Sequence, residues 1–197
     1  MALPQGLELA AALLSVAYLV LAIRQSLWCW PCAFVSTSLY VYLFGLGQLY
    51  MESALNVFYL IMAMVGFWRW RYGGATAEEP LPVSTLTLSK HLLALAIIAV
   101  LIFCSSSLLA TYTDQALPVV DSFTTWMAVW ATWLTAQKVL ENWAYWLVID
   151  VVSIGLYLDR GFHFTAALFV VYVVLIPFGW MAWRRSLGNG ADHVAID

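Results

Sequence analysis

Seven long apolar stretches, at about residues 7–23, 28–46, 50–70, 88–110, 118–137, 143–159 and 162–183, leave this chain few ways to fold. Crossing a bilayer as a helix takes about 20 residues, and each stretch is near that length. Lipid offers the backbone no partner, so a spanning segment must bond to itself as a helix or close into a barrel. Charged residues make up only 10% of the chain, against about 25% in a soluble domain. An all-α membrane protein with seven transmembrane helices is therefore predicted. The first stretch has neither a basic lead nor a small-residue cleavage site, and reads as a retained span rather than a signal peptide.

The basic residues orient these spans. Arg24, Arg69, Arg71, Lys90, Lys138, Arg184 and Arg185 all fall on one side, and Arg160 alone falls on the other. That asymmetry predicts a cytoplasmic C-terminus and an N-terminus outside. Six or eight spans would scramble it.

A shift of 113 residues lays one part of the chain on another without a gap. Trp30 meets Trp143, Tyr59 meets Tyr172, Gly66 meets Gly179, and Trp70-Arg71 meet Trp183-Arg184. Spans one to three map onto spans five to seven, and span four is left over. Two parallel three-helix bundles joined by a connecting helix, a 3+1+3 arrangement, are predicted. The boundaries are 1–72 for the first bundle, 73–87 for a cytoplasmic linker, 88–110 for helix 4, 111–185 for the second bundle and 186–197 for a disordered tail. The linker carries Gly73, Gly74, Pro80 and Pro82, all breakers.

Polar groups inside spans mark candidate function. Trp143, Trp146 and Asp150 sit at i, i+3 and i+7, on a helix face about 60° wide. No span interior holds a Lys or Arg to neutralise Asp150, so its carboxyl must be protonated, hydrated or matched by a cationic ligand. Indole faces beside a carboxylate suit a small flat cation. Glu52, Asn56 and Tyr59 form a second narrow face on span three, with Tyr172 as the repeat partner of Tyr59. Asn56 reads equally well as an interhelical hydrogen-bonding group. Trp126, Trp130 and Trp133 stripe span five, where packing competes with walling a flat ligand. His91 and His163 read as interfacial. Cys29 and Cys32 form a C-x-x-C without the βαβ setting of a redox motif, and no cysteine–histidine cluster suggests a metal.

The W-x-x-W-x-x-x-D pattern of Trp143, Trp146 and Asp150, preceded by Glu141-Asn142, resembles the signature of the PnuC vitamin-transporter family. Asn56, Tyr59, Gly66 and Trp70, with Gly179 and Trp183-Arg184, resemble its third and seventh spans. The similarity covers about residues 20 to 185. It implies a full-length relative of the SWEET architecture, a homotrimer in the bacterial inner membrane, and facilitated diffusion of a B-vitamin or its precursor. Uptake would be made one-way by a cytoplasmic kinase, with no cofactor and no nucleic-acid partner. The last motif position is commonly Asn in nicotinamide riboside carriers, whereas this chain has Asp150. Nicotinamide riboside leads, thiamine is the alternative carried by the PnuT branch, and uncharged riboflavin has less need of the carboxylate.

Two other classes fare poorly. A retinal protein needs a lysine in its last span, and the only lysines, Lys90 and Lys138, lie at loop ends. The loops are too short for a receptor's effector domain. No H-E-x-x-H, G-x-S-x-G or phosphate-binding glycine loop suggests an enzyme.

Overall fold

The computed structural model describes residues 5–46, 50–74, 76, 79–112, 117–159 and 163–194. Among them the chain forms seven α-helices: α1 (Gln5–Ile23), α2 (Cys29–Leu46), α3 (Tyr50–Tyr72), α4 (Leu88–Tyr112), α5 (Pro118–Ala136), α6 (Asn142–Asp159) and α7 (His163–Val194). No strand occurs among these residues, only an isolated bridge from Ser84 to Val139. Apart from the end of α7, every helix boundary lies within two residues of the stretch that predicts it. Helix α7 continues past Arg185 to Val194, where a disordered tail is expected. Adding residues to a standing helix requires no new nucleus.

Among the described residues, four helices are long and apolar enough to cross a membrane by length and hydropathy: α1, α2, α4 and α7. Helices α3, α5 and α6 fall short of that measure because they carry the polar and aromatic residues. Seven of the eleven tryptophans lie on these three: Trp68, Trp70, Trp126, Trp130, Trp133, Trp143 and Trp146.

By contacts the chain forms two compact units. The first holds α1, α2 and α3, the turn Thr135–Lys138, and α7 from Phe178 onward. The second holds α4, α5 as far as Leu134, α6, and α7 through Pro177.

In the first unit α2 packs against both α1 and α3. The Ser36 hydroxyl on α2 donates to the Ala11 carbonyl on α1 at 2.8 Å. Trp30, at the start of α2, lies over Gly66 of α3, where any side chain would overlap its six-membered ring. Its indole meets Trp70 edge-on, with centroids 5.2 Å apart, and Trp70 in turn meets Trp183 at 5.7 Å.

The 113-residue repeat is written into the backbone. The two described non-glycine residues with positive φ are Gln25 (55°) and Lys138 (53°), which are 113 apart. Each follows a helix in an αL cap. The N–H of Gln25 donates to Ala22 and that of Ser26 to Leu21; in register, Lys138 donates to Thr135 and Val139 to Leu134, all at 3.0 Å. Glycine is the usual residue at such a cap, since a side chain there costs about 1–2 kcal/mol. These two side chains offset that cost by reaching out. Gln25 donates to the Ser186 hydroxyl at 2.7 Å, and Lys138 donates to the Leu81 carbonyl at 3.0 Å.

The tryptophans obey the same symmetry. The Trp70 indole N–H donates to the Thr135 carbonyl at 3.0 Å, and that of Trp183 donates to the Ala22 carbonyl at 2.9 Å. Adding 113 to 70 gives 183, and adding 113 to 22 gives 135, so each bond is the other's mirror under the repeat. The Lys138 ammonium also lies 4.8 Å from the Trp70 ring centroid. Burial pulls Lys138 below its ordinary pKa, an effect that nearby Cys29 partly offsets. Arg24, Arg69, Arg71, Arg184 and Arg185 all flank this clasp, so the basic residues of the first unit share one end.

Candidate functional site

Helix α6 begins where the αL cap at Lys138 releases the chain. Asn142 opens it, with its side-chain amide donating to the Val139 carbonyl at 2.6 Å. The following residues, WAYWLVIDVVSIGLY, contain no breaker other than Gly155, so the helix runs to Asp159. Its buried residues are Asn142, Trp143, Ile149, Asp150, Ser153 and Leu156, which share one face. Ala144, Leu147, Val148 and Val151 are exposed on the other, where lipid would lie.

Asp150 therefore points inward: it is 3% exposed. Among the described residues it makes no hydrogen bond, and neither Lys nor Arg pairs with it. A carboxylate so placed is costly unless something balances it. Trp143 is buried on the same face and Trp146 is half-buried. The stripe predicted from spacing is thus a real inner face of α6, and Ser153 extends it by one turn. Spacing puts Ser153 on that stripe, at i+3 from Asp150, but does not single it out, since serine is common in helices.

Aromatic contacts tie the rest of the second unit together. Trp130 and Trp133 of α5 stack at 5.1 Å with planes 14° apart, and Trp130 meets Tyr145 of α6 edge-on at 6.5 Å. Trp133 is 40% exposed, so it forms the outer layer of that stack. Trp126 donates its indole N–H to the Ser105 hydroxyl at 3.1 Å and so links α5 to α4. His91 of α4, expected at the interface, shares a 2.9 Å hydrogen bond between its Nδ1 and the Tyr145 hydroxyl. No spacing rule links residues on separate helices, so that pair was invisible in sequence. Tyr172 of α7 meets Phe169, which stacks on Tyr157 of α6 at 5.4 Å.

The other candidates belong to the first unit. Asn56 and Tyr59 are half-buried on α3, and the Glu52 side chain lies outside the described residues, as does Arg160. Cys29 and Cys32 are free thiols, with Cys29 buried. Among the described residues no group of three His, Cys, Asp or Glu is placed to hold a metal.

Residues 5–185 match the family model described as nicotinamide mononucleotide transporter. The chain is 26% identical over 180 residues to the riboflavin/roseoflavin transporter RibM of Streptomyces davaonensis, covering 89% of this chain and 83% of the relative. It is 29% identical over 164 residues to the nicotinamide riboside transporter PnuC of Neisseria mucosa, covering 77% of this chain and 61% of the relative. The crystal structure of a vitamin B3 transporter PnuC has the same fold, with a TM-score of 0.77 at 24% identity, over 94% of this chain and 83% of that one.

Proposed function

The chain belongs to the nicotinamide mononucleotide transporter family, that of PnuC, and from this premise we propose that it takes up a cationic aromatic vitamin precursor by uncoupled facilitated diffusion. It is a vitamin transporter and a multi-pass membrane protein, not an enzyme. Nicotinamide riboside is the first choice of substrate, and thiamine the second.

One observation carries that choice: the buried carboxyl of Asp150, without a partner among the described residues, on the helix face that bears Trp143 and Trp146. A cationic ring would neutralise the carboxylate and lie against indole, gaining charge pairing and cation–π attraction together. Trp130, Trp133 and Tyr172, in the same unit as Asp150, are proposed as further ligand contacts. Phosphorylation by a cytoplasmic kinase would add negative charge to the product, which Asp150 repels, so the group that admits the cation also opposes its return. The clustered basic residues support a cytoplasmic C-terminus and an external N-terminus. The trimer implied by family resemblance belongs to the same reading.

Riboflavin is favoured by the likeness to the Streptomyces transporter. Its flat ring suits indole, but it brings no positive charge to Asp150. Titrating purified protein with nicotinamide riboside, thiamine and riboflavin decides among the three. The expected order is nicotinamide riboside, thiamine, riboflavin; tightest binding of riboflavin would overturn the assignment.

A further inference from the structure

We propose that Ser153 is a substrate-binding residue that reads the hydroxyl-bearing arm of the ligand, an inference that rests on the cation reading of Asp150. Helical hydroxyls in this protein habitually turn back on their own backbone. Thr37, Ser38, Ser105, Ser107, Thr124 and Thr132 each donate to the carbonyl four residues earlier, the usual resting place for such a group. Ser153 does not, although Ile149 supplies the same carbonyl. It is 5% exposed, and among the described residues its hydroxyl has no hydrogen bond. A hydroxyl withdrawn from water without a partner is costly, so it persists where something else rewards it.

Its surroundings say what that is. The Ser122 hydroxyl also lacks a partner, but it is sealed inside the protein. Ser153 stands instead on the buried face of α6 that carries Asp150. Trp143, Trp146, Asp150 and Ser153 fall within about 80° of one another around α6. Three residues of helix separate Asp150 from Ser153 by about 4.5 Å along the axis. That is the order of the distance from the positive ring nitrogen to the hydroxyls of an attached sugar. The face thus presents indole for a flat ring, carboxylate for its charge and hydroxyl for its arm, in that sequence. A side chain that can both donate and accept suits a ligand hydroxyl, which does the same.

The test uses the full chain in detergent and two ligands that share a cationic ring. Nicotinamide riboside carries sugar hydroxyls, and N1-methylnicotinamide carries none. Ser153→Ala is expected to weaken the riboside about fivefold to tenfold and to leave N1-methylnicotinamide within twofold. The melting temperature of the ligand-free variant should hold or rise, because a buried unpaired hydroxyl is gone; a serine serving the fold would lower it. Unchanged riboside affinity, or equal loss for both ligands, overturns the proposal. Asp150→Asn run alongside separates the two claims, since it should weaken both ligands. If it weakens neither, the cation reading fails, whatever Ser153→Ala does.

Discussion

Asp150 shows how much one side chain can specify when its helix leaves it no alternative. Its neighbours on α6 turn it inward, and nothing basic among the described residues answers it. Trp146→Ala should therefore cost affinity for flat-ringed ligands more than it costs stability; parallel losses in titration and thermal melting would make Trp146 a packing residue. Lys138 permits a test by pH. Its burial holds the folded-state pKa below the ordinary 10.5, so between those two values the unfolded chain binds more protons. Folding stability then rises with pH through that window and levels off above 10.5. Melting temperatures of wild type and Lys138→Met, followed from about pH 8 to 11, should diverge, with only the wild type gaining from Lys138. Parallel curves would show that its contact with the Leu81 carbonyl and the Trp70 ring cancels the penalty of burial.

At the scale of elements, the reciprocal tryptophan bonds fasten Trp70 of α3 to the end of α5 and Trp183 of α7 to the end of α1. Trp70→Phe and Trp183→Phe should each lose about 1 kcal/mol with the indole hydrogen bond. The double variant should depart from additivity, because the two rings touch. Strict additivity in a double-mutant cycle would mean that the rings are independent anchors. Gly66→Ala should cost about 1–3 kcal/mol, as Trp30 must yield; an unchanged melting temperature would show that the ring moves freely. These elements also mark the limit of what the sequence discloses. Helix positions were legible because lipid demands long apolar runs, and the repeat was legible because Trp, Tyr and Gly at one offset are rare by chance. The clasp was not legible, since its acceptors are the carbonyls of Ala22 and Thr135, which any residue supplies. Nor were the αL caps, because Gln25 and Lys138 stand where glycine would have announced a turn. On α6, Trp143, Trp146 and Asp150 were legible from spacing. Ser153 was not, because its significance lies in a hydrogen bond it does not make.

For the whole molecule, transport without coupling predicts that proteoliposomes loaded with the matching kinase and ATP accumulate labelled nicotinamide riboside with no imposed ion gradient. Strict dependence on a sodium or proton gradient would contradict it. Beneath that prediction lies the claim that a carboxylate inside the protein selects a positive ring. Nicotinamide riboside and its reduced, uncharged dihydro form differ chiefly in that charge, so their relative affinity isolates it. The wild type should favour the charged form at least tenfold, as expected for about 1.5–3 kcal/mol in a charge-assisted contact, and Asp150→Asn should bring the ratio close to one. An equal ratio in the two proteins would contradict the account.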